Sequence, residues 1–148
     1  PNIHLVVAGD GDLAGELLSQ GRMLGISDRV HWLGWRDDAQ TVMASMDIFL
    51  MPSLWEGFGL VLLEAMSKRI PIIASRVSAI PEVVQDGITG LLISPKSADD
   101  LSKAMTRLLI DPPLRKHMGL IGEDRLEQEF SVQKMVEQTL AVYHKRTQ

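Results

Sequence analysis

Glu56 and Glu64 stand eight residues apart, with Gly57 and Gly59 directly after the first of them. A carboxylate accepts hydrogen bonds from hydroxyls and stabilises positive charge that develops nearby. Two glycines without Cβ atoms let a bulky anion approach the backbone. The residues around them explain how such groups would be positioned. Ile48 to Met51 is a short apolar run before Pro52 and reads as a buried strand, while Leu60 to Lys68 is rich in helix formers. A strand, a glycine-containing turn and a helix leave the first helical amides without internal partners, at the positive end of the helix dipole. Gly57, Phe58, Gly59, Leu60 and Val61 are therefore the candidate anion contacts. Taken alone, this unit is common to α/β proteins, and a lone Glu64 in such a unit is most often a solvated helix residue.

Composition narrows the class. A chain of 148 residues has the size of one domain with a substantial core. A net charge of −4 supplies no basic footprint for nucleic acid. There is no cysteine, which excludes disulfides and thiolate chemistry. No apolar run approaches the roughly 20 residues needed to span a bilayer. No signal-peptide pattern is present, and a chain opening on Pro1 is expected to be cut from a longer one. His4, His31, His117 and His144 are scattered without metal-ligand spacing, so no metal site is expected.

The remaining pattern alternates strand and helix. Ile3 to Ala8 predicts a buried strand, closed by the Gly9-Asp10-Gly11-Asp12 turn, in which an aspartate caps the next helix. That segment reads as a tight turn, the alternative being a backbone that borders a nucleotide. Leu13 to Leu24 predicts a helix ended by Gly25, and Val30 to Leu33 a second strand. Asp37 and Asp38 are expected to cap a helix over Ala39 to Met46. Trp35 reads either as a ring wall against a nucleobase or as half-buried packing, with Arg36 beside it. Further strands are expected at Ile70 to Ala74 and Thr89 to Ile93, with a short helix over Pro81 to Val84 between them. Ser97 or Asp99 starts an amphipathic helix through Ile110, which turns Leu101, Met105, Leu108 and Leu109 to the sheet. Asp111-Pro112-Pro113 is read as a break. Helices over Leu114 to Glu127 and Val132 to His144 follow, the latter capped by Ser131 and packing Val136, Leu140 and Tyr143 into the core. The fold class is α/β: a three-layer, Rossmann-like parallel sheet of about five strands with helices on both faces. Ligands of such sheets bind beyond the C-terminal strand ends, where every candidate above lies.

The run P-S-x-x-E-G-F-G-L-x-x-x-E-A-M at Pro52 to Met66 resembles the E-x7-E signature of retaining glycosyltransferases of the GT-B fold, the "glycosyl transferases group 1" family. LVVAGDGDL (Leu5 to Leu13), RVHWLGW (Arg29 to Trp35), DIFLMPS (Asp47 to Ser53), PIIAS (Pro71 to Ser75), IPEVVQDGITGLLI (Ile80 to Ile93) and a late Phe130-Ser131 follow in the family's order. The resemblance covers almost the whole chain. It is to the C-terminal, donor-binding half of such an enzyme, one half of a GT-B fold.

That resemblance implies a substrate, a nucleotide diphosphate sugar such as a UDP- or GDP-sugar, and no cofactor. Backbone amides at Gly57 to Val61 would meet the diphosphate, Glu64 the ribose hydroxyls, and Glu56 the donor sugar near its reacting carbon. Trp35 and Arg36 would lie near the nucleobase. A glycosidase-like pair of acid and nucleophile needs carboxyls converging on one bond, which a helix-borne Glu64 beside the nucleotide does not satisfy.

The resemblance further implies an acceptor, a glycolipid or polysaccharide precursor, held by an N-terminal domain not in this chain. It also implies a cytoplasmic location, with peripheral association at the membrane face. The first strand of the domain and an upstream Arg and Lys that grip the diphosphate would likewise lie outside the chain. Two departures are internal: Ser78 and Ala79 stand where paired glycines are usual, and Arg69 where glycine is common. The alternative is a non-catalytic nucleotide-binding or assembly module of the same fold.

Overall fold

The computed structural model describes residues 2–146, which fall into two compact units divided between Val42 and Met43. In the first unit β1 (Leu5–Ala8) pairs in parallel with β2 (Val30–Gly34), Val6 lying opposite His31 and Val7 opposite Trp32. Between them run α1 (Ala14–Met23) and a 3-10 turn at Ser27–Arg29. Gly25 ends α1 as expected: its N–H bonds Arg22 O while Ile26 N–H bonds Gly21 O, the two bonds of a Schellman cap. β1 is not the buried strand that its apolar run predicts, since Leu5 and Ala8 are exposed and no residue of α1 is buried. A two-stranded ladder and one short helix offer too little surface to bury each other. Nor does an aspartate cap α1: its N-cap is Leu13, and Asp10 Oδ1 instead accepts from Gly11 N–H at 2.8 Å. α2 (Ala39–Ala44) crosses from the first unit into the second.

The second unit holds the core. β3 (Phe49–Met51), β4 (Ile72–Ser75) and β5 (Gly90–Ile93) form a parallel ladder with β4 central. All four β4 residues are buried, and their alternation splits the core in two. Ile72 and Ala74 join Met51, Leu62, Ala65, Met66, Ile80 and Val83 on one face. Ile73 joins Leu91, Ile93, Ala104, Leu108 and Met118 on the other. The first face is covered by α3 (Leu60–Met66) and α4 (Ile80–Val83), the second by α5 (Ala98–Ile110). Helices on both faces of a parallel ladder give the three expected layers. Among the described residues the five strands form two ladders, of two and three strands, where one continuous sheet was expected.

The last two helices depart from expectation in part. Asp111-Pro112-Pro113 ends α5 at Ile110 as expected, and the two prolines also open α6 (Pro112–Glu129), because a proline in the first helical turn forfeits no intrahelical bond. Asp111 caps that helix through Leu114 N–H at 2.9 Å. In α7 (Val132–Arg146), Ser131 does cap Lys134 N–H, but the Val136, Leu140 and Tyr143 stripe is exposed. Both faces of the three-stranded ladder are already covered by other helices, which leaves this stripe outside the unit's core.

α6 passes close to α3 and to the turn that follows it. A Cβ on Gly119 would lie 1.9 Å from the Arg69 carbonyl oxygen, so only glycine lets the two backbones approach there. Arg69 has a left-handed φ of 57°, the position after a helix that glycine usually takes, and Ile70 N–H closes back on Ala65 O at 3.1 Å. The Arg69 guanidinium reaches across to Glu123 of α6, Nε to Oε2, at 2.6 Å.

Candidate functional site

The connection from β3 to α3 leaves the ladder at its C-terminal end, where Met51 is buried, and reaches Gly59 as the N-cap of α3. Gly59 has φ 80°, and a Cβ there would lie 2.9 Å from Leu62 Cδ1 and 3.4 Å from Glu56 Cγ. Both the backbone angle and the space therefore require glycine. Leu62 N–H turns back to Gly59 O at 2.8 Å, while Leu60 and Val61 sit in the first turn, where amides have no intrahelical acceptor. Burial of Leu62, Ala65 and Met66 against the ladder fixes how α3 is rotated and leaves Glu64 half-buried.

Glu56 is half-buried and held at two points. Its carboxylate accepts from Gly57 N–H at 3.1 Å, and its own N–H donates to Ser78 Oγ at 3.4 Å. Ser78 adopts φ 47°, the left-handed conformation that a glycine would take without strain. For a residue with a Cβ that conformation costs roughly 1–2 kcal/mol. In exchange the serine side chain ties its loop to the loop carrying Glu56.

A second support comes from α6. Arg125 donates from Nε to Val83 O at 3.0 Å and from Nη2 to Glu82 O at 2.7 Å, satisfying carbonyls at the end of α4. The same guanidinium lies 5.3 Å from the centre of the Phe130 ring. Phe130 in turn meets Phe58 edge-on, with ring centres 6.1 Å apart. Ser78, Arg125 and the Phe130–Phe58 contact complete the setting of the loop, and spacing along the chain revealed none of them as partners. The only sequence signals were Ser78 in a glycine position and the late Phe130-Ser131 pair.

Trp35 and Arg36 belong to the first unit. The indole is 79% exposed, which overturns the half-buried packing reading, and its Nε1 donates to Asp37 Oδ1 at 3.3 Å. Arg36 makes a two-point pair with Asp38, Nε to Oδ1 and Nη2 to Oδ2, each 2.7 Å. Each shifts the other: the hydrogen bond from Arg36 holds the Asp38 carboxyl below its usual range, and Asp38 raises the Arg36 guanidinium. The Asp37 and Asp38 side chains thus serve their own loop, where caps for α2 were expected.

The histidines are not all scattered. Parallel pairing of β1 and β2 brings His4 Nδ1 within 2.9 Å of His31 Nε2, the rings stacked with centres 5.1 Å apart. Strand register, invisible in linear spacing, creates this pair. Among the described residues no three His, Asp or Glu side chains converge in a group able to hold a metal ion. No helix among them is long and apolar enough to cross a membrane.

Known proteins share this architecture. A curated relative, the N-acetyl-alpha-D-glucosaminyl L-malate synthase of Bacillus anthracis, is 36% identical over 140 residues, covering 95% of the chain and 37% of the relative. The MMP alpha-(1->4)-mannosyltransferase of Mycolicibacterium hassiacum is 42% identical over 125 residues, 82% of the chain and 30% of the relative. The chain thus spans about a third of the length of these relatives. Among solved structures, Anabaena HepE in complex with UDP superposes with a TM-score of 0.92 at 26% identity, over 98% of this chain and 42% of that one. The C-terminal domain of a glycosyl transferase group 1 family protein (LpcC) from Francisella tularensis superposes with a TM-score of 0.74 at 28% identity, over 82% of this chain and 64% of that one. The family profile "Glycosyl transferases group 1" matches residues 1–125. With that match over most of its length, the chain belongs to the group 1 glycosyl transferases.

Proposed function

We propose that the chain is the donor-binding half of a retaining, metal-independent glycosyltransferase that uses a UDP- or GDP-sugar. The observation that carries this reading is the contact between the Glu56 carboxylate and Gly57 N–H at 3.1 Å, beside the glycine-capped start of α3. An amide of this loop already serves an anionic oxygen, as a diphosphate would require. When a donor binds, its phosphate oxygens replace that carboxylate at Gly57 and meet the amides of Phe58 to Val61. Glu56 is thereby released toward the sugar.

The chemistry follows from the charges involved. The bond between the anomeric carbon and the diphosphate breaks, negative charge grows on the leaving oxygen, and the sugar passes to an acceptor hydroxyl. Fixed N–H donors stabilise the leaving group without reorganising, and hydrogen bonds to charged groups contribute about 1.5–3 kcal/mol each. Glu56 orients the sugar and stabilises positive charge at the anomeric carbon. Glu64 accepts from the ribose hydroxyls, and Trp35 and Arg36 are the candidates beside the base. The acceptor, a glycolipid or polysaccharide precursor, binds a further domain of the full-length protein at the cytoplasmic membrane face. Resemblance to UDP-bound HepE supports a nucleotide-sugar donor.

The test separates the two glutamates in the full-length protein. Glu64→Gln weakens donor and free nucleoside diphosphate alike, because ribose contacts persist before and after reaction; KM rises and kcat changes little. Glu56→Gln lowers kcat by roughly two orders of magnitude or more and leaves nucleoside diphosphate affinity unchanged, since that ligand carries no sugar. The reverse pattern would remove these assignments. Sugar transfer at enzyme-like rates by the 148-residue chain alone would contradict its reading as a donor-binding half.

A further inference from the structure

The other end of the three-stranded ladder carries a feature with no part in the chemistry above. A cleft of about 290 Å³ opens where β3 and β4 begin, lined on one side by Asp47, Ile70 and Pro71. Lys68 and Arg69 reach it from the end of α3, and Arg115 and Lys116 from the first turns of α6. Glu56 and Ser78 lie beyond the opposite ends of the same strands, so this is a separate site.

The lining carries four cations and one carboxylate, Asp47, while Glu123, Asp124 and Glu127 of α6 act on Arg69 from beside it, on a chain whose net charge is −4. Folding explains two of the cations. Arg69 pairs with Glu123 through Nε, and Arg115 Nη1 donates to the Leu108 and Leu109 carbonyls at 2.6 and 3.2 Å, satisfying the end of α5. Each guanidinium is anchored by one edge and keeps further N–H groups for a ligand. Lys68 and Lys116 have no ion pair among the described residues, so folding does not account for them. Lys116 and Arg115 also sit near the positive end of the α6 dipole, where a cation is unfavourable for the helix itself. Like charges gathered against a helix dipole repel one another until an anion joins them.

We propose that this cleft binds a phosphate-bearing anion. Anchored arginines present planar N–H groups to phosphate oxygens, and the two lysines add mobile point charges. The group could belong to a soluble phosphate or to an anionic lipid headgroup, and the cleft recognises what the two share.

The experiment uses the 148-residue chain, isotopically labelled for NMR, titrated at low ionic strength with inorganic phosphate. The expected result is saturable shifts at the Lys68, Arg69, Arg115 and Lys116 amides. Lys68→Ala/Lys116→Ala removes the two cations without folding contacts and weakens the response at these positions roughly five- to tenfold. Phosphate shifts at Gly57 to Val61, from the proposed donor site, stay as in the wild type, so failure at one end is distinguishable from failure at the other. A second arm sediments the chain with phosphatidylglycerol vesicles and with phosphatidylcholine vesicles. Saturable phosphate binding at the cleft without vesicle binding assigns a soluble ligand. Binding to phosphatidylglycerol alone, lost in the double variant, assigns a lipid headgroup. The proposal is overturned if neither probe binds, or if the double variant binds like the wild type, leaving a general ionic-strength effect only.

Discussion

Phe130, where α6 ends, stands edge-on to Phe58 in the loop before α3, their ring centres 6.1 Å apart across 72 residues of sequence. Arg125 lies under the Phe130 ring and holds two carbonyls of α4. Loop 52–59 and α4 are therefore braced by the same stretch of one helix.

Phe130→Ala removes the edge contact and the cation–π contact, each worth roughly 0.5–1.5 kcal/mol. The expected outcome is a loss of about 1–3 kcal/mol in denaturant unfolding, with weaker nucleoside diphosphate binding as the Phe58 loop loosens. Phe130→Leu should recover most of the stability but less of the affinity. Unchanged affinity in both variants would mean that the ring contact does not position the loop.

Gly59→Val places a β-branched side chain at φ 80° against Leu62 Cδ1. It should weaken nucleoside diphosphate binding more than Glu64→Ala weakens binding of inorganic pyrophosphate, which lacks a ribose. Calorimetric titration measures both, and circular dichroism checks that the variant is folded. Equal losses would remove the start of α3 as the phosphate cradle.

Arg69 sets backbone strain against an ion pair. Arg69→Gly relieves the left-handed φ and loses the exposed pair with Glu123, whereas Arg69→Ala loses the pair and keeps the strain. The glycine variant should melt above the alanine variant and close to the wild type. A glycine variant that melted with or below the alanine variant would show that the left-handed backbone at position 69 carries no strain for glycine to relieve.

Asp100 links the loop before α5 to the helix itself. Hydrogen bonds from Ser94, first its side chain and then its N–H, which lies 3.2 Å from Oδ2, hold the Asp100 carboxyl below its usual range; the charge of Lys103 and the hydroxyl of Ser97 act in the same direction. A carboxyl depressed in the folded state contributes stability above its unfolded pKa of about 3.9 and loses it as pH falls through the folded value. Wild type should therefore exceed Asp100→Asn in stability at neutral pH, and the two should converge as pH falls below about 4. Parallel acid-unfolding curves would rule the carboxylate out as a contributor.

Much of this molecule was written in local patterns. The continuous apolar run of β4, the helical spacing of Leu101, Met105 and Leu108, and the caps at Ser97 and Ser131 depend on residues within a few positions of each other. Sequence alone therefore determined the α/β class, the glycine-bearing turn and the two glutamates as candidates. Contacts between distant segments were settled only by tertiary structure. Strand register brought His4 onto His31, and the approach of α6 to α3 required glycine at 119. The left-handed turn at Ser78 carried its hydroxyl to Glu56, and coverage of both ladder faces left Leu140 of α7 exposed. Each of these depends on where a second element lies in space, and the periodicity of one segment carries no information about that.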